Sequence, residues 1–471
     1  MYCSLRRVKL AVIAVFSASL AAPDAVGGEN PPPNILHIHA DDHRPDGLHA
    51  LGTDALQTPN LDKLVERGTT FSRCYTMGSM VGAVCLPSRT MMLTGRSWLR
   101  IPGGKAATDP WDPSMALPSV LSDAGYQTFH VGKSGNEFKA GIKAFQQSIV
   151  MDDRGIRKRR GSSERHADAV IRFLGESDQT RPFYVYMAPP VPHDPRVAAP
   201  EFMDRYSPDV VLLSEAFMPV HPFNNGEMTV RDERLAPWPR TPRDTRSQLA
   251  DYYACITGLD HHVGRIVEQL RSTGQLENTI VIFSGDNGLS MGEHGLFGKQ
   301  NLYEFGGMHC PLVIAGPGVP ERQSDAFVYL MDLFPTLCEL GGAAVPKGVE
   351  GQSLVPLLKG SEPEPRSVLY TAYRDCQRSV RDDRWKLIRY PQINKTQLFD
   401  LDDDPRELRN LADDPAYASE VARMTGLLKQ EMLQYGDSTP LTTANPRPAE
   451  WMPPKTKKPA TGDSHVRLHS S

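Results

Sequence analysis

Two apolar runs that end in acidic residues constrain this chain most. The first is Asn34-Ile-Leu-His-Ile-His-Ala40, followed by Asp41-Asp42-His43. The second is Asn278-Thr-Ile-Val-Ile-Phe283, followed by Ser284-Gly285-Asp286-Asn287-Gly288. A short run that is apolar on both faces belongs in a sheet covered on both sides, which is the setting of parallel strands. In such α/β folds, ligands bind beyond the carboxyl ends of the strands. Plainer readings stand beside this one. A single aspartate after a strand fits an Asx turn or an N-cap, and Asn-Gly fits a type I′ turn.

The rest of the chain supports an α/β class. Strands are expected at Thr70–Tyr75, Tyr126–Val131, Pro182–Met187 and Pro311–Ile314. Between them fall helices with clear punctuation. Thr58 to Gly68 carries Thr, then Pro, at its start and Gly at its stop. Others are expected at Leu117–Ala124, His166–Leu174, Gln248–Thr273 and Met331–Leu340. Tyr206 to Arg246 shows no period and reads as a long binding loop. A smaller domain begins near Val345, with short strands at 367–373, 377–381, 385–390 and 397–401 and a closing helix over 416–433. From Asp437 the chain turns rich in Pro, Lys, Thr and Ser, which predicts an extended or disordered tail over 437–471.

One stretch carries the chemistry: Cys85-Leu86-Pro87-Ser88-Arg89-Thr90-Met91-Met92-Leu93-Thr94-Gly95-Arg96. Pro87 suits the first turn of a helix and Gly95 suits its end. A cysteine at a helix N-terminus faces oriented N–H groups and the positive end of the dipole. A buried free cysteine would explain Cys85 but not the pattern around it. Cys-x-Pro-Ser-Arg followed by Leu-Thr-Gly-Arg resembles the signature of the type I sulfatases.

The resemblance covers roughly residues 33 to 434 and has definite implications. It implies an alkaline-phosphatase-like catalytic domain over 33–344, a mixed and mostly parallel sheet flanked by helices. A smaller C-terminal α+β domain with an antiparallel sheet follows over 345–436. Cys85 is the residue that the family oxidises to formylglycine, whose hydrate is the nucleophile. Asp41, Asp42, Cys85, Asp286 and Asn287 match its metal set. Such a hard oxygen site suits Ca²⁺, with Mg²⁺ also compatible, and not zinc. Arg89, Lys133 and Lys299 match residues that bind sulfate, and His193 in Pro192-His193-Asp194-Pro195 matches the group that assists the leaving alcohol. A near-neutral pKa suits histidine to that task. His37 and His39 are expected to pack in the sheet, and His294 and Glu304 to order a loop.

The chain departs from the family at one place. Where Lys-x-His is usual, it has Lys133-Ser134-Gly135-Asn136. His130, Asn136 and Glu137 are the candidates to take the histidine's place at that gap. The expected function is hydrolysis of sulfate esters, those of a sulfated carbohydrate first, with a small aryl or alkyl sulfate left open. A phosphonate or phosphodiester hydrolase on the same scaffold, and a sulfated-glycan-binding homologue without catalysis, are the alternatives.

Composition and the N-terminus set the compartment. The chain has 471 residues, 40% hydrophobic and 23% charged, with a net charge of −4. That balance argues against nucleic-acid partners, which require a strongly basic face. Arg6, Arg7 and Lys9 precede an apolar run from Leu10 to Leu20 that is too short to span a membrane, and Ser19-Leu20-Ala21 offers a cleavage site. Residues 1–21 therefore read as a signal peptide, with a secreted or periplasmic product and no stable membrane insertion. On export, the formylglycine-generating enzyme becomes the expected partner. The cysteines are too scattered for a disulfide framework. The basic run Arg157-Lys158-Arg159-Arg160 reads as a solvated loop, with contact to a polyanionic substrate as the alternative.

Overall fold

The computed structural model describes residues 32–101, 112–360 and 365–454. Residues 1–21, read above as a leader, lie outside them. The strands are β1 (Asn34–Ala40), β2 (Gly68–Tyr75), β3 (Gly78–Ser79), β4 (Gln127–Lys133), β5 (Gln147–Met151), β6 (Phe183–Ala188) and β7 (Thr279–Gly285). They continue with β8 (His309–Cys310), β9 (Leu312–Ala315), β10 (Arg322–Tyr329), β11 (Leu369–Tyr373), β12 (Gln377–Arg381), β13 (Trp385–Tyr390) and β14 (Lys395–Asp400). The helices are α1 (Pro59–Glu66), α2 (Cys85–Thr94), α3 (Leu117–Asp123), α4 (Lys139–Lys143), α5 (Ile156–Arg160) and α6 (Ser162–Glu176). After these come α7 (Pro200–Met203), α8 (Pro242–Ser272), α9 (Leu333–Leu340), α10 (Val355–Leu358) and α11 (Ala418–Tyr435).

The main sheet has nine strands in the order β10-β2-β9-β7-β1-β6-β4-β5, with β8 beside β2. The β7-β1-β6-β4-β5 run is parallel, and β9 runs against both of its neighbours. Alternation along β1 separates the two covering layers. Leu36, Ile38 and Ala40 pack with α1, α6 and α8, whereas Ile35 packs on the side of α2, α3 and α9. The odd positions His37 and His39 are also buried, and both meet the Ser284 hydroxyl, at 2.8 and 2.7 Å. They are packed strand residues.

A second sheet follows in the order β14-β13-β12-β11-β3. Its C-terminal strands pair antiparallel, and β3, from the loop just before Cys85, adds to β11 in parallel. α11 packs on it, and Tyr75, Met77, Trp98 and Tyr329 share a hydrophobic core with the strands β11 to β14. The observed class is the expected one: a mostly parallel mixed sheet with flanking helices, and a C-terminal region built on an antiparallel sheet.

Several elements differ from expectation for local reasons. α8 begins at Pro242, inside the stretch read as a loop. Thr241 caps it by accepting from the Asp244 N–H at 3.1 Å, and Pro242 takes the first position. β5 escapes detection because its first four residues are exposed and lack alternation. The basic run forms α5 rather than a loop, and Arg159 within it is buried. The stretch expected to trail away from Asp437 packs back as far as Trp451. Asp437 pairs with Arg378 at 2.5 Å, the Asn224 N–H donates to the Ala449 carbonyl at 2.8 Å, and Trp451 meets Trp238 edge to face. Residues 455–471 lie outside the described residues.

Candidate active site

Strand register brings the acidic tips together. Ala40 pairs with Gly285 across β1 and β7, so Asp41 and Asp286 emerge side by side. The Asp286 N–H donates to the Ala40 carbonyl at 2.9 Å. Asp42 then takes a left-handed conformation, φ 62°. Its N–H donates to Asp286 Oδ1 at 2.9 Å, and its carbonyl accepts from the Tyr252 hydroxyl of α8 at 2.8 Å. Left-handed backbone costs a non-glycine residue about 1 kcal/mol or more and persists only where neighbours impose it. Here it aims the second carboxylate at the start of α2. Gly288, in the Asp-Asn-Gly stretch, serves close approach rather than a hairpin turn. Its φ is not positive, and a Cβ there would lie 2.3 Å from the Gly306 and His309 carbonyl oxygens.

α2 delivers Cys85 and Arg89, one turn apart and on the same side of the helix. Gly95 closes it in the left-handed conformation, with its N–H on the Met91 carbonyl. Cys85 Sγ lies 3.4 Å from Asp42 Oδ1. Lys299 Nζ donates to that same oxygen at 2.5 Å and reaches Sγ at 3.0 Å. Lys133, the last residue of β4, pairs with Asp41 Oδ2. Arg89 Nε donates to Asp286 Oδ2 at 2.9 Å, its Nη1 pairs with Glu137, and its Nη2 is 3.8 Å from Asp41 Oδ1. Asn287 Nδ2 donates to Asp42 Oδ1 at 2.9 Å. Every residue singled out for the site thus falls in one buried cluster, together with His193.

His193 comes from the loop after β6. Arg159 grips this loop by donating to the carbonyls of Pro190 at 2.7 Å and Asp194 at 2.8 Å. His193 Nε2 faces Asp42 Oδ2 at 3.7 Å. One atom each from Asp41, Asp42, Cys85 and His193 lie within 4.8 Å of one another.

Two further residues belong here, one of them a sequence candidate for the gap and the other not singled out by sequence reasoning. Glu137 is one: it comes from the segment where the family's usual histidine is missing and is buried against Arg89. Gly135 is exposed, and a Cβ there would meet nothing within 4 Å. Asn136 is exposed, and His130 is buried beside Ser148 and Tyr186. Of the three polar candidates near the gap, only Glu137 touches Arg89. The second is Arg231, whose guanidinium reaches the His193 ring at 3.4 Å. Arg231 has no local signal, because tertiary placement alone defines its role.

Comparison with known proteins decides the family. The sulfatase family model matches residues 33–343. The chain belongs to the sulfatase family. As a sulfatase it is a sulfuric ester hydrolase. A second family model, for the C-terminal region of N-sulphoglucosamine sulphohydrolase, matches residues 292–434. Relatives include an N-acetylglucosamine-6-O-sulfatase of Bacteroides thetaiotaomicron, 26% identical and aligned over 92% of this chain and 91% of that protein. A choline-sulfatase of Rhizobium meliloti is 29% identical over 83% and 85%. The fold matches that of a protein solved with its substrate D-glucosamine-2-N,6-O-disulfate, at TM-score 0.73 and 22% identity over 88% of this chain and 99% of that one. It also matches a phosphonate monoester hydrolase of Agrobacterium radiobacter, at TM-score 0.73 and 23% identity over 86% and 96%.

The donor atoms of this sulfatase site fit a cation. Asp41 Oδ1 and Asn287 Oδ1 are buried with no hydrogen-bond partner among the described residues. Each such atom costs about 1–3 kcal/mol if left unpaired. Burial pushes Asp41 up, but Lys133, His193, Arg89 and Lys299 outweigh it and hold the carboxyl well below its usual range. Burial, reinforced by Asp286, raises the Cys85 thiol well above its usual value. An unmodified Cys85 is therefore a protonated thiol, a poor nucleophile. Burial lifts Glu137 to about 7 against the pull of Arg89. Three carboxylates and an orphaned amide oxygen form a hard donor set that suits calcium or magnesium.

Proposed function

We propose that this sulfatase acts on sulfated carbohydrates, with Cys85 converted to formylglycine and a calcium ion held by Asp41, Asp42, Asp286, Asn287 and residue 85. The observation that carries this reading is Cys85 at the start of α2, between Asp42 and Lys299. Formylglycine hydrate, when present, supplies the nucleophilic oxygen, and the cation supplies charge opposite the sulfate oxygens. The remaining work belongs to side chains of the chain itself. Lys133, Lys299 and Arg89 place three positive charges around the position a sulfate group would take. Fixed in advance by their carboxylate partners, they need little reorganisation as charge develops. His193, facing the same carboxylate edge, hydrogen-bonds the bridging oxygen and protonates the departing alcohol. The loop region before α8 borders His193 through Arg231 and shapes the subsite for the alcohol. A sugar alcohol is supported by the activity named for the Bacteroides thetaiotaomicron relative.

Residues 1–21 act as a leader, and the product is secreted or periplasmic. No helix among the described residues is long and apolar enough to cross a membrane. The first test is the mass of the tryptic peptide containing position 85, from protein exported beside a formylglycine-generating enzyme. An aldehyde lowers it by about 18 Da, a loss distinct from the oxygen additions of ordinary cysteine oxidation. An unmodified thiol in that protein sinks the proposed chemistry. Turnover of N-acetylglucosamine 6-sulfate, choline sulfate and an aryl phosphonate ester under identical conditions then ranks the substrate classes.

A further inference from the structure

Behind His193 lies a chain of contacts that the reaction as described leaves unexplained. The His193 Nδ1–H donates to the Asp194 carbonyl oxygen at 2.6 Å, and the Asp194 carboxylate stands 3.4 Å from the same nitrogen. Arg231 grips that carboxylate with two nitrogens, with Nη2 to Oδ1 at 2.8 Å. The same Nη2 lies 2.8 Å from Asp232 Oδ1 and 3.4 Å from His193 Nε2. Asp232 is itself tied down, since it accepts from the Gln300 amide at 2.9 Å, and that amide also reaches the Gly82 carbonyl at 3.2 Å. The chain thus runs from the His193 ring to the loops that carry Lys299 and precede Cys85.

The brace is confined to one edge of the site. The Arg231 side chain is 59% exposed, whereas those of His193 and Asp194 are 13% and 11% exposed. A bidentate guanidinium–carboxylate pair fixes direction as well as distance. An exposed ion pair contributes little to stability, so its value here is geometric.

We propose that Asp194 and Arg231 are positioning residues that set the His193 ring for the leaving oxygen of the ester. This rests on the reading of the site as a sulfate-ester hydrolase. In that step the S–O bond to the alcohol breaks, its electron pair goes to the bridging oxygen, and the Nε2 proton of the doubly protonated His193 ring forms the new O–H bond, leaving the ring neutral with its Nδ1–H in place. With Nδ1–H fixed on Asp194, Nε2 is the nitrogen that points into the site. An ester of a weakly acidic alcohol depends on that proton. An ester of an acidic phenol departs almost without it.

The test is steady-state kinetics of the full formylglycine-bearing protein on two esters, 4-nitrophenyl sulfate and N-acetylglucosamine 6-sulfate, or choline sulfate where the wild type prefers it. Arg231→Ala is expected to lose about 10- to 100-fold in kcat on the alkyl ester and less than about threefold on the nitrophenyl ester, with KM nearly unchanged. Arg231→Lys restores part of the loss. Asp194→Asn, which keeps the side-chain size, shows the same split and guards against misfolding of the first variant. Equal losses on both esters overturn the brace. So does a rise in KM alone, which would make Arg231 a substrate contact. A wild type that releases sulfate from neither ester overturns the hydrolase reading itself, and that result is distinct from an active wild type whose variants show no split.

Discussion

Lys299 Nζ sits 3.0 Å from Cys85 Sγ, although the two residues are 214 positions apart. The same ammonium donates to Asp42 Oδ1 at 2.5 Å, so one cation bridges the modifiable residue and an acidic strand tip. Desolvation alone would lower its pKa, yet the Asp42 carboxylate, with Asp232 and Asp41 behind it, holds it well above the ordinary lysine value. It stays charged through the neutral range and is available to an anionic substrate.

Lys299→Ala is accordingly expected to cost about 10²- to 10³-fold in kcat on an aryl sulfate, the usual loss when one fixed charge-stabilising donor is removed. Lys299→Arg should restore little, because a planar fork does not replace a point charge in so tight a space. Cys85→Ala should release no sulfate at all. Formylglycine occupancy by peptide mass must accompany the Lys299 kinetics, so that failed conversion is not mistaken for failed catalysis. Full activity in Cys85→Ala would end the proposed chemistry.

Metal dependence is expected to appear in stability as well as in rate. Calcium that binds only the folded protein stabilises it by mass action. A chelator should therefore lower the Tm of the wild type, and added calcium should restore it. Asp41→Asn removes a formal charge from the donor set and frees Lys133. Its Tm should lose most of the calcium response, and its calcium-free Tm should also fall, because Lys133 is left buried without its carboxylate. A wild-type Tm that ignores both chelator and calcium speaks against a calcium site.

How far the sequence could be read depended on whether local pattern and final environment agreed. β1 and β7 were legible because strands buried on both faces leave continuous apolar runs, and the acidic residues after them marked the functional edge. The register that sets Asp41 beside Asp286 follows once the two strands are neighbours. β3 and β8 were invisible, since two-residue strands carry no period. β5 was hidden because its first four residues are exposed. Glu137 was legible only as one of three polar groups at the gap, since its partner Arg89 lies in a distant segment, and Arg231 could not be recognised, since its partner Asp194 does too. Arg159 looked like part of a solvated charge run, and only the fold turns it onto the carbonyls of the His193 loop. The start of α8 was missed despite its signal, the Thr241-Pro242 pair with Asp244 three residues past the cap.

The segment after Asp437 offers a stability prediction. Asp437 accepts from Arg378 Nε at 2.5 Å and from the Tyr370 hydroxyl, and the Arg378 side chain is fully buried. Asp437→Ala strands a buried guanidinium, which typically costs about 3–5 kcal/mol. A clear fall in Tm is expected, with activity retained below the transition. An unchanged Tm would mean that Arg378 finds another partner and that the segment does not anchor the small sheet.

A last prediction concerns pH and lies away from the site. The Asp260 carboxylate of α8 accepts from the backbone N–H groups of Asn60 at 3.0 Å and Leu61 at 2.7 Å, so it covers the N-terminus of α1. Thr58, placed to cap that helix, instead accepts from the His49 N–H and donates to Asp62. Burial raises Asp260 from 3.8 to about 6 despite these hydrogen bonds. The folded state then binds the proton more tightly than the unfolded chain. The resulting stabilisation is complete below the unfolded value and is lost as pH rises through about 6, an effect of about 3 kcal/mol. In Asp260→Asn the group is neutral at every pH, and its amide oxygen can still accept from both N–H groups. The Tm of the variant relative to wild type should therefore rise between pH 4 and pH 6.5 and level off above. A difference that stays flat, or falls, across that window would show that Asp260 keeps an ordinary carboxylate pKa in the folded protein.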